Sequence, residues 1–521
     1  MRVSLSIPAA AAVVMAVASA SLHAQEPAGK AVYDRWCAGC HGVDGAGAGP
    51  GAGTMLPRPR DFTRALYQVR TTASGELPTD ADILHVIDVG MPGTAMPGWE
   101  DVLTRQERND LVQYLKSLSR FFEGASPTPL DFGSAPGAGD ERIAEGQQLY
   151  QQIECWRCHG QAGRGDGESA STLDDDTGQP IAARDLTRNW LFNGGGTVED
   201  IYRRMMTGMD GTPMPTFTDI IDAGIITADQ LWSVAHYVRS LSPEDAPATR
   251  EVLAAGLLSE GELPSSPDDE RWTGVERFYV PMVGQIISKP RWFNPRVDGI
   301  WVQALHDRQE LALLVSWTDP SRSPDPAWTE YATRVHDTME PKDEGGDWAP
   351  GAPDQLVVQF PQQLPRGMER PYFLQGDARR PAYLWQWRSD RQEGDELVAA
   401  GFLAGQPQDA ANRQLAVSAS WSEGEWKVLF RRALATPDSA ADFQFPVAQA
   451  VPVAFQAWDG DNGESGGQGS VSTWYFIQLQ ESVPVTVYVA PALAMILTAG
   501  LGLLVVVRAQ KREEEGSPES A

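Results

Sequence analysis

Two Cys-x-x-Cys-His pentapeptides, at residues 37–41 and 155–159, contain every cysteine of this 521-residue chain. The pattern is typical of c-type haem attachment, in which two thiols bond to the porphyrin and the following histidine ligates the iron. A chain that carries two such groups must fold so that it encloses each of them. The candidates are the four thioether-forming cysteines and the two iron-ligating histidines: Cys37, Cys40, His41, Cys155, Cys158 and His159.

The cysteines also permit other chemistry. Short-loop disulfides and redox-active dithiols need only the thiols. A zinc site could use the two thiolates and one imidazole that each motif offers. An internal repeat argues against these alternatives.

The repeat extends well beyond the pentapeptides. Met96 follows His41 by 55 residues, and Met214 follows His159 by the same interval. Both methionines lie in the phrase Gly-Met-x-Gly-Thr-x-Met-Pro, which begins at residues 90 and 208. A thioether on a stiff Pro/Gly loop suits the sixth position of haem iron and raises its potential.

We therefore predict that Met96 and Met214 are the second axial ligands. Each phrase holds another methionine, so Met91 and Met209 are the fallback assignments. For any single methionine, core packing is the alternative interpretation.

Each copy also contains an Arg-Asp-x-Thr phrase, and each closes with an amphipathic stretch, at residues 111–118 and 231–238. Residues 27–122 and 141–243 therefore resemble class I cytochrome c domains. The resemblance implies two all-α domains that bind two covalent haem c groups. Arg60 and Arg184 of the repeated phrases either pair with haem propionates or are solvated surface charges.

The two ends of the chain carry membrane signals. Residues 1–24 are typical of a signal peptide, with an uncleaved anchor as the alternative. Residues 485–507 are apolar and long enough to span a bilayer, with a buried core helix as the alternative. Arg508, Lys511 and Arg512 follow, so we expect a cytoplasmic tail at residues 508–521 and the bulk of the chain in the bacterial periplasm. The net charge of −28 argues against binding to nucleic acid.

The third part of the chain has a different pattern. Linkers rich in Pro, Ser, Gly and acidic residues occupy residues 123–140 and about 244–269. Residues 270–482 then alternate apolar segments with turn residues, which predicts an antiparallel β-sandwich. The predicted fold is thus multidomain: two all-α domains, one β-sandwich and one transmembrane helix.

Several phrases of residues 270–482 occur in a familiar order, at residues 315–320, 358–361, 371–377, 383–387, 453–460 and 472–475. Together they resemble the ethylbenzene-dehydrogenase-type haem-binding domain. In that family the domain is the γ subunit of periplasmic molybdenum enzymes of the dimethyl sulfoxide reductase class, with molybdopterin and iron–sulfur subunits as partners. The resemblance also implies one b-type haem between a methionine and a lysine.

This chain departs from the family at both ligands. The methionine's phrase reads Phe373-Leu374-Gln375-Gly376 here, and the lysine's position falls around Gln468. Glutamine is a poor iron ligand, so we predict that the third haem has been lost and that the domain docks a partner. A haem ligated by other residues is the alternative.

Together these features predict a membrane-anchored periplasmic dihaem cytochrome that serves as the electron-transfer subunit of a respiratory oxidoreductase, with a quinol oxidase or a soluble cytochrome as its electron partner. No catalytic residues are predicted, because no general acid–base cluster is evident. Asp174, Asp175 and Asp176 lack the alternating oxygen ligands of a calcium loop. The alternatives are a dihaem peroxidase-like enzyme and a binding module to which the haems are tethered.

Overall fold

A computed structural model describes residues 27–339, 348–366, 369–447, 449–481 and 486–515. The predicted signal peptide lies outside the described residues. The chain forms two helical domains, here called domain 1 (residues 27–122) and domain 2 (residues 141–243), then a mixed β-sheet domain and a C-terminal helix. The multidomain prediction agrees with this architecture.

Domain 1 is built from helices that carry their own start signals. Its helices are α1 Lys30–Trp36, α2 Ala38–His41, α3 Asp80–Val89 and α4 Arg105–Ser117. Thr79 and Thr104 cap α3 and α4, and in each case an acidic residue three positions later bonds back to the cap. Such capping boxes satisfy backbone N–H groups that the first helical turn leaves without partners.

Domain 2 repeats this plan. Its helices are α5 Asp140–Gln152, α6 Trp156–His159, α7 Val198–Thr207, α8 Thr218–Asp222 and α9 Ala228–Ser240. Thr197 and Thr227 form the matching capping boxes of α7 and α9. Helices α5 and α9 cross so closely that a Cβ on Gly146 would lie 2.0 Å from the Ser233 carbonyl oxygen. The terminal helices of the domain therefore need a glycine at their crossing.

The β domain contains fourteen strands among the described residues. They are β1 Val252–Leu257, β2 Phe278–Pro281, β3 Val283–Gly284, β4 Gly299–His306, β5 Glu310–Thr318, β6 Gln355–Pro361, β7 Ala382–Arg388, β8 Asp395–Ala399, β9 Gly405–Pro407, β10 Ala416–Ser422, β11 Glu425–Ala433, β12 Ala450–Trp458, β13 Ser470–Val471 and β14 Tyr475–Leu479. The main order is β10-β11-β5-β4-β1-β14-β12-β6-β7-β8-β9. The rings of Trp317 on β5 and Trp387 on β7 lie 6.0 Å apart, so two distant parts of the sheet face each other across one core.

The sheet is mixed, which corrects the prediction of a purely antiparallel domain. The described pairings between strands of residues 270–482 are antiparallel, as predicted, and the parallel pairs come from a strand outside that range. Strand β1 pairs in parallel with both β14 and β4. It lies upstream of residue 270, in a segment that composition marks as linker. The strand follows domain 2 and lies between β4 and β14. No hairpin connects it to either neighbour, so its direction is not forced to alternate.

One helix interrupts the strands. Helix α10, Pro326–Thr338, begins with Asp325 as its N-cap and Pro326 in its first turn. Trp328 and Tyr331 on α10 pack against Ala170 of domain 2. The helix therefore belongs to the contact between the β domain and domain 2.

The C-terminal helix α11, Thr486–Glu515, is the candidate membrane segment. Within Val487–Arg512, an 18-residue window has a mean hydropathy of 2.3, and none of that window is buried against the rest of the protein. An apolar helix of this length that contacts no core fits a bilayer span. The predicted span at residues 485–507 therefore falls within α11, apart from residue 485, which lies outside the described residues.

Candidate haem sites

His41 is held in one orientation by a backbone carbonyl. It lies on α2 and is 9% exposed, and its Nδ1 is 2.9 Å from the Arg60 carbonyl oxygen. Since a carbonyl only accepts, Nδ1 carries the proton and the lone pair of Nε2 is left to bind a metal. Burial lowers the pKa of His41, which favours this neutral form.

His159 has the same arrangement in domain 2. Its Nδ1 is 2.9 Å from the carbonyl oxygen of Arg184, and burial lowers its pKa. The repeated Arg-Asp-x-Thr phrase thus has a local explanation. Asp61 and Asp185 accept hydrogen bonds from the N–H of Thr63 and Thr187 respectively, at 2.9 Å in each copy, and this turn presents the preceding carbonyl to the histidine.

The sequence analysis assigned roles to the side chains of Arg60 and Arg184. It did not predict that their backbone carbonyls would hold the two histidines. The Asp-x-Thr phrase after each arginine is the signal that could have found it, because this pattern forms a side-chain-capped turn. A second shared contact supports the same loops. Tyr33 donates to the Gly42 carbonyl and Tyr150 to the Gly160 carbonyl, each at 2.7 Å.

The four cysteines form no disulfide, and each pair is followed directly by one of the two histidines. Burial raises the pKa of Cys37 to about 11 and that of Cys155 to about 12, and it also raises the pKa of Cys158. A thioether sulfur carries no charge, so thioether bonds to a porphyrin suit these buried positions.

The two methionine loops share one hydrogen-bond pattern. The N–H of Met91 donates to the Met96 carbonyl at 3.0 Å, and the N–H of Met209 donates to the Met214 carbonyl at 3.1 Å. Within each loop a threonine, Thr94 or Thr212, donates to the first methionine's carbonyl and accepts from the second methionine's N–H. Each loop is therefore a closed turn with fixed methionine positions.

One cavity in domain 1 brings the predicted residues together. Its wall includes Cys37, Cys40, His41, Met91 and Met96. The rest of the wall is largely apolar. It consists mainly of side chains from α3, from α4 and from residues 55–69. A histidine faces a methionine loop across an apolar space with two thiols at its edge, which fits a covalently held haem. Both methionines of the loop line this cavity, so Met96 stays a prediction with Met91 as its fallback.

In domain 2, Met214 packs against the apolar core together with Cys155 and Trp156. The predicted methionine and the attachment motif therefore border the same core. The second site thus has the same set of donors as the first, with His159 fixed by its carbonyl partner.

The two sites approach each other through reciprocal contacts. A Cβ on Gly93, in the methionine loop of domain 1, would lie 2.8 Å from a guanidinium nitrogen of Arg184 in domain 2. A Cβ on Gly211, in the methionine loop of domain 2, would lie 3.4 Å from a guanidinium nitrogen of Arg60 in domain 1. Burial lowers the pKa of both arginines. Each arginine therefore serves the interface between the domains, and the description as a solvated surface charge does not fit either.

A buried ion pair joins the same two domains. Arg70 is fully buried and donates to Asp210 and to the Thr207 carbonyl, both at 2.7 Å. In return, Arg204 donates to the carbonyls of Arg70 and Gln68, at 2.6 and 3.0 Å. Charges at this depth are costly unless they are paired, so the domains are matched to each other here.

In the β domain, Gln375 occupies the position where the resemblance implies an axial methionine, and its side chain is hydrogen-bonded within the protein. Gln375 is 6% exposed, and its side-chain amide donates to Gln456 at 3.0 Å. Its side-chain oxygen accepts from the N–H of Leu403 at 2.9 Å. The side-chain amide and oxygen of Gln375 are thus both engaged, and the loss of the b-type haem stays a prediction.

The chain resembles known proteins in parts. Residues 27–119 and 143–242 match the model of the family described as Cytochrome c. The chain is 26% identical over 226 residues to the putative respiratory nitrate reductase heme subunit ORF7 of Haloferax mediterranei, covering 43% of this chain and 71% of the relative. It is 27% identical over 219 residues to the Cbb3-type cytochrome c oxidase subunit CcoP of Rhodobacter capsulatus, covering 41% of this chain and 61% of the relative.

Among solved structures, the chain is similar to one from the Kuenenia stuttgartiensis reducing HAO-like protein complex, at 44% identity. That similarity covers 42% of this chain and 97% of the other, with a TM-score of 0.39.

Proposed function

Because residues 27–119 and 143–242 are two cytochrome c domains in tandem, we propose that this chain is a membrane-anchored dihaem electron-transfer subunit of a respiratory oxidoreductase. One observation carries the proposal. In both domains a histidine with its Nδ1 held by a backbone carbonyl follows a cysteine pair, and the two methionine loops contact each other's domain. Two similar sites that abut in this way suit the passage of single electrons.

We assign the residues as follows. Cys37, Cys40, Cys155 and Cys158 form the thioether bonds, His41 and His159 are the proximal ligands, and Met96 and Met214 are the second axial ligands. The bound haem supplies one-electron chemistry. The chain supplies the rest, because the carbonyls of Arg60 and Arg184 fix the imidazoles and the largely apolar wall of the domain 1 cavity surrounds its haem. A thioether ligand in a dry pocket favours the reduced iron and thus a higher potential.

The partners follow from the β domain and from the relatives. Residues 270–482 resemble the γ subunit of molybdenum enzymes of the dimethyl sulfoxide reductase class. Two relatives carry the names of respiratory subunits, one of a nitrate reductase and one of a cbb3-type oxidase. We propose molybdopterin and iron–sulfur subunits as docking partners of the β domain, and a quinol oxidase or soluble cytochrome as the electron partner. Two covalent haem c groups are the cofactors, with no b-type haem.

The proposed location is the periplasmic face of a bacterial inner membrane. Helix α11 would anchor the chain, and Arg508, Lys511 and Arg512 would lie on the cytoplasmic side. The predicted signal peptide is consistent with export, because haem is attached outside the inner membrane.

A haem count on the full-length protein tests the proposal. The protein is produced in a host with working cytochrome maturation, and intact mass and a pyridine haemochrome assay are measured. We expect two haem c groups, no haem b, and a low-spin spectrum with the red methionine-to-iron charge-transfer band. A polypeptide mass without added porphyrin would refute the haem assignment, and a high-spin haem would favour the peroxidase-like alternative. Affinity purification from the native host should recover molybdopterin and iron–sulfur subunits, and recovery of neither would refute the proposed partners.

A further inference from the structure

Three buried aspartates meet at one end of the β domain. Asp319 directly follows β5, Asp354 directly precedes β6, and Asp459 directly follows β12. Their exposed fractions are 0%, 0% and 1%. One carboxylate oxygen of each lies within 4.8 Å of the corresponding oxygens of the other two. Three carboxylates that converge in the interior repel one another strongly unless something positive lies between them.

The hydrogen bonds around the cluster leave one oxygen without a partner. Asp354 accepts from the side chain of Trp426 and from the N–H groups of Ser323 and Gly460, each at 3.0 Å. Asp319 accepts through Oδ1 from the N–H of Ser321 at 3.2 Å.

The other oxygen of Asp319, Oδ2, is buried and has no hydrogen-bond donor among the residues that the structure describes. A fully buried carboxylate oxygen of this kind is rare in native proteins, because burying it without a donor or cation is costly. The oxygen belongs to the carboxylate that faces Asp354 and Asp459, so it points to a missing cation.

The charge around the cluster is not balanced by the described residues. The Nε of Arg296 lies 3.5 Å from Asp459, and its guanidinium also packs over the rings of Trp328 and Tyr331. Glu464 adds another fully buried carboxylate nearby, and it accepts from the N–H groups of Arg296 and Asp459. One arginine therefore faces several carboxylates, which leaves an excess of negative charge in the interior.

We propose that Asp319, Asp354 and Asp459 bind a calcium ion. The ligands are hard carboxylate oxygens, which Ca²⁺ prefers, whereas thiolate or imidazole donors would indicate a transition metal. Oxygens on opposite sides of Ca²⁺ lie up to about 4.8 Å apart, since each Ca–O distance is about 2.4 Å. The separation of the three oxygens is compatible with that limit. A fully buried site of three carboxylates suits Ca²⁺ better than Mg²⁺, which usually keeps several of its waters.

The sequence offered part of this signal. Residues 459–464 read Asp-Gly-Asp-Asn-Gly-Glu, an acidic turn with glycines, and the run was not singled out. Within it, Asp461 is not a ligand in the proposed site, because its oxygens accept from Ser321, Thr329 and the N–H of Asp325. Asp319 and Asp354 join Asp459 only in the folded domain, from 140 and 105 residues away along the chain.

The site lies next to the contact with domain 2. Thr318, the neighbour of Asp319, donates to Asp185 of domain 2 at 2.9 Å. A calcium ion would hold together the ends of β5, β6 and β12, at the end of the β domain that faces domain 2.

Calcium analysis of the full-length haem-loaded protein in detergent tests the site. The protein is dialysed against a calcium chelator, and the chelator is then removed. After re-equilibration with CaCl₂, bound calcium is measured by emission spectroscopy. We expect one tightly bound calcium per chain, and a thermal unfolding midpoint of the β domain that rises with calcium concentration. Magnesium at the same concentration should not produce this rise.

Two variants sharpen the test. Asp319→Asn should lower calcium affinity at least tenfold, because it removes the charge of the oxygen that lacks a donor. Asp395→Asn is the matched control, since Asp395 is also a buried carboxylate of the β domain and pairs with Arg391 and Arg413 instead. The control should keep the calcium stoichiometry even where it lowers stability.

The site is refuted if the chelated wild type neither binds calcium nor gains thermal stability at millimolar CaCl₂. Equal calcium affinity of Asp319→Asn and wild type would also refute it, as would equal stabilisation by magnesium. Where Asp319→Asn does not fold, the calcium titration of the chelated wild type decides by itself. None of these measurements depends on haem content, so the outcome is separate from that of the proposed function.

Discussion

Domains 1 and 2 have the same predicted haem-binding residues but different surroundings. In domain 2, residues 231–238 of α9 are all buried. In the matching α4 of domain 1, Gln113 is exposed and Lys116 is partly so, although the core-facing residues are buried. The C-terminal helices α4 and α9 therefore differ in their exposure to solvent, although they occupy matching positions in the two domains.

The segment between the domains accounts for part of this difference. The linker predicted at residues 123–140 reaches domain 2, where Phe132 and Ala135 pack on its core. The Nε2 of His236 on α9 is 3.0 Å from the Pro136 carbonyl oxygen. The linker thus covers one face of α9, and His236 is a core histidine with a backbone partner.

The β domain accounts for the rest. It contacts domain 2 through Arg164 to Glu425 at 3.1 Å, through Arg188 to Tyr279 at 2.9 Å, and through Thr318 to Asp185. Domain 1 reaches it through Arg58, which donates to the Thr338 carbonyl. Burial and local charge tune the potential of a haem. We therefore expect the two sites to differ in potential, although their predicted ligands are the same.

The largest expected effect is loss of one haem. Cys155→Ala with Cys158→Ala removes both thioether bonds of domain 2, so intact mass should show one haem fewer while the domain 1 haem remains. Cys37→Ala with Cys40→Ala is the reciprocal control. The remaining signals then give each haem's potential separately. Identical potentials in the two single-haem proteins would contradict the comparison.

Loss of a predicted axial methionine should have the next largest effect. Met96→Ala and Met214→Ala should each lower one midpoint potential and remove part of the charge-transfer band, because a soft thioether stabilises Fe(II). Redox titration with visible spectra measures both. Met91→Ala and Met209→Ala are the matched controls from the same loops, and they should leave both observables unchanged. If the controls lose the band instead, the ligand in that loop is the other methionine.

Breaking the buried ion pair between the domains should reduce stability. Arg70→Ala leaves Asp210 without its main charge partner, and the expected cost is about 3–5 kcal/mol of unfolding free energy. Chemical denaturation followed through the haem bands measures it. Arg64→Ala is the control, because the Arg64–Asp176 pair also joins the domains but is exposed, and such pairs contribute about 0–1 kcal/mol. Equal effects of the two variants would show that the depth of Arg70 is unimportant.

The smallest expected effect concerns the junction of domain 2 with the β domain. Thr318→Val keeps the shape of the side chain but removes the hydroxyl that donates to Asp185, which should cost about 1.5 kcal/mol. Thermal unfolding and the potential of the domain 2 haem are the readouts, with the domain 1 haem as the internal reference. Thr318→Ser retains the hydroxyl and should behave like wild type. A shift in the domain 1 haem alone would indicate that the junction acts elsewhere.

Much of the fold was predictable because its signals are local. The attachment motifs, the capped helices and the apolar C-terminal run are each contained within about 30 residues, and each acts through its own backbone or composition. Strand β1 and helix α10 were missed for a different reason. The first is defined by pairing with β4 and β14, and the second by packing on domain 2, so neither stands out from neighbouring residues alone.

The amino-acid sequence was enough to predict which residues hold the haems, because thioether attachment and axial ligation require specific residue types at fixed spacing. The folded structure was needed to show how the two domains meet, through Arg70 and Asp210, and which carboxylates gather at Asp319. Arg70 and Asp210 are 140 positions apart, and Asp459 is at least 105 positions from the other two aspartates. The energy of these contacts arises from burial, which depends on the whole fold.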